Sequence, residues 1–483
     1  MRTTIAVFNK KGKSALPVII DALKSNRFEQ PLNFAVANSE KMVSHKSPDV
    51  LSKQGIDSSL VVGCSFTKEA KKAYSFLQLE NATVAFEHSS YTQVSKEKHA
   101  QEAIAKSILS ERQLQDFIRK IDGDYLFFLL KKEELIVARD PIGVQPLYYG
   151  ENKELTVFAS NRKTLWQLGI ESEPLSFPPG NLCLLNSAGL QFKPIKTFTY
   201  TERSIQISID DAAIEVQKLL EQAVRARVAG LKEVAVAFSG GLDSGLIAYM
   251  ASKCGVKVNL IHVSLENELE TEAAFEASEK LDLPMQAHLF KERDVENTLP
   301  HVLDLIEEAD PVKAAIGVSV YWTARKAQET GYGVLLAGQG ADEVFGGYQR
   351  YINEYYKEGR EKVQQTLFND VVKIHENNLE RDKKICINFD VELLLPFCSF
   401  DLIEYVLGLP VELKFDQTQG SLRKLVLRKV ALNLGLPVSI ANKPKKAAQY
   451  STGINNAVKR IAQKDNQTVN EYITKLFQKS IQH

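Results

Sequence analysis

Residues Val234 to Leu246 read V-A-V-A-F-S-G-G-L-D-S-G-L, and no other stretch restricts the fold as much. A β-branched apolar run, Val234–Phe238, stops abruptly at Ser239-Gly240-Gly241-Leu242-Asp243-Ser244, and a helix-forming stretch over about 245–253 follows. Gly240 and Gly241 have no Cβ, so the backbone can turn sharply and approach a ligand closely. The N–H groups of the loop and of the following helix N-terminus supply partial positive charge, which suits an anion. Ser239 and Ser244 add hydroxyl donors. Asp243 places a carboxylate among those donors, which makes sense beside phosphates only if a cation such as Mg²⁺ lies between the negative groups. The unit is a strand, a phosphate loop and a helix.

It is not a Walker loop, which needs G-x-x-x-x-G-K-[ST]. The nearest imitation is Gly12-Lys13-Ser14 after the apolar run Thr4–Phe8. Val7 stands where the leading glycine would be, so that fragment reads as a polar turn.

A chain of 483 residues is long enough for at least two domains with separate cores. Its formal net charge of zero gives no support for a nucleic-acid or membrane partner. No apolar run approaches the ~20 residues of a membrane span, and Met1-Arg2-Thr3-Thr4 leads straight into a strand-like run without a secretory pattern. Five scattered cysteines form neither a disulfide framework nor a zinc pattern, as expected of reduced thiols in a cytoplasmic protein.

Two textures divide the chain. Residues 1–200 read as short strands with a few helices. Strands are expected at Thr4–Phe8, Thr83–Phe86, Tyr125–Leu130, Leu135–Ala138 and Leu182–Leu185. Tyr200–Ser208 is polar and reads as a linker. From 208 onward, Val216, Leu219, Leu220, Ala223 and Val224 recur at helical spacing behind a cap at Asp210 or Asp211. Strands Val234–Phe238, Val258–Val263 and Gly333–Ala337 then alternate with helices, which argues for a parallel sheet. Ligands of such sheets sit at the carboxyl ends of the strands, where the serine-glycine loop falls. Beyond about 352 the chain reads as mostly helical.

Four further segments bear on this loop. Gly338-Gln339-Gly340-Ala341-Asp342-Glu343-Val344-Phe345-Gly346-Gly347-Tyr348 follows the third strand, and Asp342 is a candidate second cation-binding carboxylate. Leu260-Ile261-His262-Val263-Ser264 holds a histidine that, inside a strand, reads as packed rather than catalytic. Asn442-Lys443-Pro444-Lys445-Lys446-Ala447 is a basic run near the chain's end, and Arg423-Lys424-Leu425-Val426-Leu427-Arg428 precedes it.

Taken together these segments resemble the ATP pyrophosphatases, and in particular the asparagine synthetase family. S-G-G-L-D-S is the pyrophosphatase signature. The segment 338–348 is similar to the family's G-E-G-A-D-E-x-F-G-G-Y, and 424–428 to its K-x-x-L-R. The resemblance implies that Phe238, Ser239, Gly240, Gly241, Leu242, Asp243 and Ser244 bind ATP, with Val263, Ala337 and Gly338 around the adenine. It implies Mg²⁺ on Asp243 and Asp342, and a catalytic set of Asp243, Asp342, Glu343 and Lys445, with Lys446 as the other choice of lysine. The implied reaction has two steps. A carboxylate attacks the α-phosphorus of ATP to give an acyl-adenylate and pyrophosphate, and an amine, ammonia in the family, then displaces AMP.

The chain also departs from the family pattern. The glutamate of G-E-G is Gln339 here. The family's E-x-R-x-P-F-L-D appears as Glu392-Leu393-Leu394-Leu395-Pro396-Phe397-Cys398-Ser399, with Leu394 at the arginine and Ser399 at the final aspartate. Leucine cannot make an arginine's charged contacts. The ATP machinery looks intact while the acceptor pocket differs, so aspartate is the substrate favoured by resemblance and another carboxylate stays open.

The first 200 residues resemble the class II glutaminase domain found ahead of such synthetases. The match rests on Asp122-Gly123-Asp124-Tyr125, on the run Ala138-Arg139-Asp140-Pro141-Ile142-Gly143-Val144-Gln145-Pro146-Leu147-Tyr148-Tyr149-Gly150, and on Phe158-Ala159-Ser160-Asn161. That chemistry uses a cysteine at position 2 whose own amine serves as the base. Position 2 is Arg2, and the oxyanion-hole signature is missing around Phe86-Glu87-His88.

The expected architecture is therefore an α+β Ntn-hydrolase-like sandwich over 1–200, degenerate as a glutaminase. An α/β domain with a parallel sheet of the adenine nucleotide α-hydrolase type follows over 208–483. The expected activity is an ATP-dependent amide ligase fed by free ammonium, another amine or a separate glutaminase. Two alternatives remain: an amide- or lactam-forming synthetase for another carboxylate, and a catalytically silent nucleotide-binding regulatory protein. The resemblance further implies a homodimer.

Overall fold

The computed structural model describes residues 2–25, 32–67, 74–91, 110–121, 123–170, 174–200, 207–416, 422–444 and 452–481. The chain divides into two compact units, Met1–Thr197 and Phe198–His483.

In the first unit the strands are β1 (Arg2–Asn9), β2 (Asn33–Ala37), β3 (Met42–His45), β4 (Leu60–Phe66), β5 (Tyr74–Gln78), β6 (Thr83–His88) and β7 (Tyr125–Leu130). They continue with β8 (Leu135–Arg139), β9 (Tyr148–Glu151), β10 (Leu155–Ala159), β11 (Leu175–Ser176), β12 (Asn181–Asn186) and β13 (Gly189–Pro194). These build two antiparallel sheets, ordered β11-β9-β10-β1-β4-β2-β3 and β13-β12-β8-β7-β6-β5. β7 shows why the unit is layered. Leu126, Phe128 and Leu130 pack into a core shared with Ala6, Val62 and Phe158 of the other sheet. The alternate residues Tyr125, Phe127 and Leu129 pack under Leu114 and Ile118 of the helix Glu111–Lys120. A strand buried on both faces is apolar throughout, as this one is. The outer face of the first sheet is covered by the helix Leu16–Ser25 through Ile19, Ile20 and Leu23. The unit is a helix–sheet–sheet–helix sandwich.

The second unit is built on a parallel sheet of β14 (Glu233–Ala237), β15 (Lys257–Leu265), β16 (Met285–Phe290), β17 (Val334–Leu336) and β18 (Glu392–Leu394), ordered β16-β15-β14-β17-β18. The chain runs outward from β14 to β16, then returns to the other side of β14 for β17. The order therefore reverses between β14 and β17, and crevices at such reversals hold ligands. The loops carrying Asp243 and Asp342 leave these two strands.

The helix after the loop begins at Leu242 rather than near 245. The cap of the helix Ile209–Val228 is Ser208, whose hydroxyl accepts from the N–H of Asp211. The strands β16 and β18 went unseen. β16 lacks an apolar run because its residues are only partly buried, and β18 is three residues long. Gly12 lies in a turn after β1 with φ of +71°, as expected of a polar turn.

Candidate active site

The loop after β14 is fixed by short-range chemistry. Gly240 has φ of +67°, and a Cβ there would stand 2.7 Å from the Ala274 Cα. Both facts demand glycine. The Ser244 hydroxyl accepts from the Ser239 N–H at 3.2 Å, and the two serine hydroxyls are 3.2 Å apart. His262 holds the same loop from the neighbouring strand, its Nδ1–H donating to the Phe238 carbonyl at 2.9 Å. Burial lowers the His262 pKa, and its Nε2 lies 3.3 Å from the Thr271 hydroxyl.

The loop after β17 is drawn against the first. A Cβ on Gly338 would meet the Asp243 Cβ at 3.0 Å, so glycine sets how closely the two strand ends approach. Asp243 and Asp342 are bridged by Lys424, whose Nζ lies 2.6 Å from Asp243 Oδ2 and 2.7 Å from Asp342 Oδ1. The Lys424 side chain is only 2% exposed. It reaches the site because Lys424 adopts a left-handed backbone, φ +62°, just before the helix Leu425–Asn433. Gly347 leaves it room, since a Cβ there would be 2.4 Å from Lys424 Cε and 2.0 Å from Asp342 Oδ1.

One ammonium against two carboxylates leaves the site net negative. Asp243 Oδ1 is buried without a hydrogen-bond partner, a costly condition that calls for a cation or a donor. The residues therefore fit a divalent cation. Among the described residues no group of three His, Cys, Asp or Glu side chains surrounds one. An Mg²⁺ held here would take its other oxygens from phosphates and water, as this ion commonly does.

A cavity of about 180 Å³ opens at these strand ends. Its lining includes eight of the expected residues: Phe238, Ser239, Asp243, Ser244, Val263, Ala337, Gly338 and Asp342. Gly240, Gly241 and Leu242 are not in the lining. The Leu242 side chain is buried, and the glycines shape the backbone. Glu343 is turned away, accepting from Tyr348 Oη at 2.5 Å and Asn378 Nδ2 at 2.6 Å. Burial, with Asp342 beside it, raises the Glu343 pKa. Lys445 and Lys446 lie outside the described residues. The chain leading to them is clamped by Arg428, which donates to the carbonyls of Arg423 at 2.6 Å and Ala441 at 2.5 Å.

Sequence reasoning did not single out Lys424, Asp382 or Arg381. Asp382 lines the cavity and accepts from Gln339 Nε2 at 2.5 Å and from Arg381 Nε at 2.7 Å. Both acidic and basic members are buried and follow a π-helical turn, His375–Leu379, a feature that often marks functional segments. Leu394 is fully buried on β18, paired with Leu336. A core strand position explains why an apolar residue is tolerated there. The match of 424–428 to K-x-x-L-R was the available signal for Lys424. No local pattern marked Asp382.

In the first unit, Arg139 and Asp140 are consumed by a turn. Asp140 accepts from the N–H groups of Ile142, Gly143, Val144 and Gln145. Arg139 donates to the carbonyls of Gly143, Gln145 and Phe177. The Thr4 hydroxyl donates to Glu87 at 3.0 Å. The cysteines are free thiols, and burial pushes the Cys183 thiol up to about 12.

Residues 215–480 match the Asparagine synthase family, and residues 77–167 match a Glutamine amidotransferase domain. The chain is 31% identical over 415 residues to a Methanocaldococcus jannaschii protein named "Putative asparagine synthetase [glutamine-hydrolyzing] 1", covering 76% of each. It is 26% identical over 363 residues to the asparagine synthetase [glutamine-hydrolyzing] of Asparagus officinalis, covering 72% of this chain and 60% of that one. A solved glutamine phosphoribosylpyrophosphate amidotransferase from B. subtilis aligns at 15% identity over 59% of this chain and 65% of that one, with a TM-score of 0.31. The chain belongs to the asparagine synthetase family. Among the described residues no helix is long and apolar enough to cross a membrane.

Proposed function

We propose that this protein is an ATP-dependent amide ligase that adenylates a carboxylate, releases pyrophosphate and forms the amide with ammonia. The observation that carries the reading is the Asp243–Lys424–Asp342 bridge, whose two carboxylates line the cavity where the strand order reverses. In this reading the Ser239–Ser244 loop binds the phosphates through N–H and hydroxyl donors. Lys424 stabilises the negative charge that develops as pyrophosphate leaves, and Lys445 is proposed to add a second cation there. Asp243 and Asp342 would hold Mg²⁺, which would neutralise phosphate charge and orient the triphosphate. Val263, Ala337 and Gly338 face the base, and apolar walls keep water from the acyl-adenylate.

We assign nitrogen to free ammonium or to a separate glutaminase, because Arg2 replaces the nucleophile that the amidotransferase chemistry requires. β-Aspartyl-AMP is the intermediate favoured by the family. A second acceptor is kept in view by Gln339, whose amide is spent on Asp382. A glutamate there would set two carboxylates face to face, so the acceptor end of this cavity differs in charge from the family pattern. The test is AMP and pyrophosphate release by the full chain with MgATP. The arms are aspartate plus ammonium, aspartate plus glutamine, and a panel of other carboxylates. Asparagine formed with ammonium but not with glutamine supports the whole reading. AMP formed only with another acid keeps the chemistry and moves the substrate. ATP binding without turnover on any acid would overturn it in favour of a regulatory role.

A further inference from the structure

Lys414 lies in the second unit, outside the ATP cavity, and nothing above uses it. Its residue is 1% exposed, and among the described residues its ammonium makes no hydrogen bond or ion pair. A buried lone ammonium is expensive. Burial alone pushes its pKa down to about 7. The side chain borders a separate cavity of about 90 Å³, room for several waters, lined also by Gln364, Leu367, Glu404, Phe198 and Thr199. A second polar group there is also unsatisfied, since Gln364 Oε1 is buried without a hydrogen-bond partner. Glu404, on the helix Phe400–Leu407, is exposed and adds a carboxylate to the lining.

The donor set selects the ligand. An unpartnered buried amine, which an anion beside it would hold protonated, calls for a carboxylate. Gln364 Oε1 and the Glu404 carboxylate accept only, so they disfavour a plain anion such as phosphate and call for an ammonium. Leu367 and Phe198 supply apolar wall. A small free α-amino acid offers all three features in one molecule. Lys414 itself also packs against the segments that position Lys424. The Lys414 carbonyl accepts from the N–H of Leu425 at 2.9 Å, next to Lys424. Its Cβ lies 3.3 Å from where a Cβ on Gly346 would be, beside Gly347, which makes room for Lys424.

We propose that the Lys414 cavity is a second ligand site that takes a small free α-amino acid, and that its occupancy is coupled to Lys424 through Leu425 and Gly346. The binding part stands apart from the ligase reading; only the coupling part rests on it. The test is calorimetric titration of the full chain, without ATP, using glycine, L-alanine and L-leucine, with acetate and methylammonium as half-ligands. At least one amino acid should bind ten times more tightly than either half-ligand. Lys414→Met, which keeps the aliphatic stem, should weaken that binding at least tenfold, and Glu404→Gln, a change at an exposed position, several-fold. Asp382→Asn, in the ATP cavity, should leave it within twofold. The site is overturned if no amino acid binds at 10 mM, if acetate binds as well as the amino acid, or if Lys414→Met and Glu404→Gln both bind like wild type. The coupling is overturned if saturating amino acid leaves AMP release unchanged in wild type. A rate change that disappears in Lys414→Met supports it.

Discussion

The two units treat their charged family motifs in opposite ways. In the first, Asp140 accepts four backbone N–H groups and Arg139 donates to three backbone carbonyls. Those charges hold a turn. In the second, Asp243 keeps one buried oxygen without a hydrogen bond, and Lys424 is shared between two carboxylates at the wall of a cavity. A motif whose polar groups bind its own backbone builds structure. One that leaves them unspent at a cavity has something to offer a ligand.

The comparison breaks first at the carboxylates. Asp243→Asn or Asp342→Asn should lower AMP release by about 10³-fold, the scale of losing a charged group that acts on the transition state. Near-normal release in either variant, measured by quantifying AMP, would remove both from the site. Lys424→Met comes next, with a loss of roughly 10²–10³-fold in the same assay. It also leaves two carboxylates facing each other without their shared cation, so the melting temperature should fall, because breaking a buried pair costs about 3–5 kcal/mol. Mg²⁺ should recover more of that loss in the variant than it adds to wild type. A melting temperature indifferent to Mg²⁺ in both proteins would argue against a cation on these carboxylates.

A smaller effect is expected in the first unit. Burial, with Asp124 next in weight, pushes the Asp140 carboxyl up to about 6, while Arg139 and backbone N–H groups pull it down. An unfolded aspartate titrates near 3.9. Between about pH 4 and 6 the folded state thus holds the extra proton, and stability falls as pH rises through that window. Asp140→Asn should flatten this slope in pH-dependent unfolding. It should also leave AMP release with ammonium within twofold of wild type. A slope that survives the substitution would assign the titration to another group. The smallest expected effect is none at all: Arg2→Cys should not create glutamine-dependent AMP formation, since the oxyanion signature is absent as well. Glutaminase activity in that variant would show that the first unit retains more of its ancestral site than its sequence displays.

Much of this was legible beforehand where the signal is local. The run into Ser239-Gly240-Gly241 announces a strand end and a loop because strands, glycine turns and helix starts are written within a dozen residues. The apolar runs of β1, β7, β8 and β12 were read for the same reason, since full burial leaves continuous hydrophobic stretches. β16 was missed because partial burial erases that pattern. Asp382 was missed because its role depends on Gln339, 43 residues away. The serine cap at Ser208 was displaced to the neighbouring aspartates, a difference of a few residues that hydrogen-bond geometry decides.

The sequence alone placed the serine-glycine loop at a strand end, an acid after each of two strands, a parallel sheet in the second unit and an arginine at position 2. Each is a matter of residue type at short spacing. Only the tertiary structure decided that Lys424 stands between the acids, that Glu343 faces Tyr348 and Asn378, and that Lys414 is left alone beside its own cavity. Lys424 is 181 residues from Asp243 in the chain. It arrives there through a left-handed backbone and a glycine gap at 347. Such a contact is set by how separate elements pack, which no local pattern records.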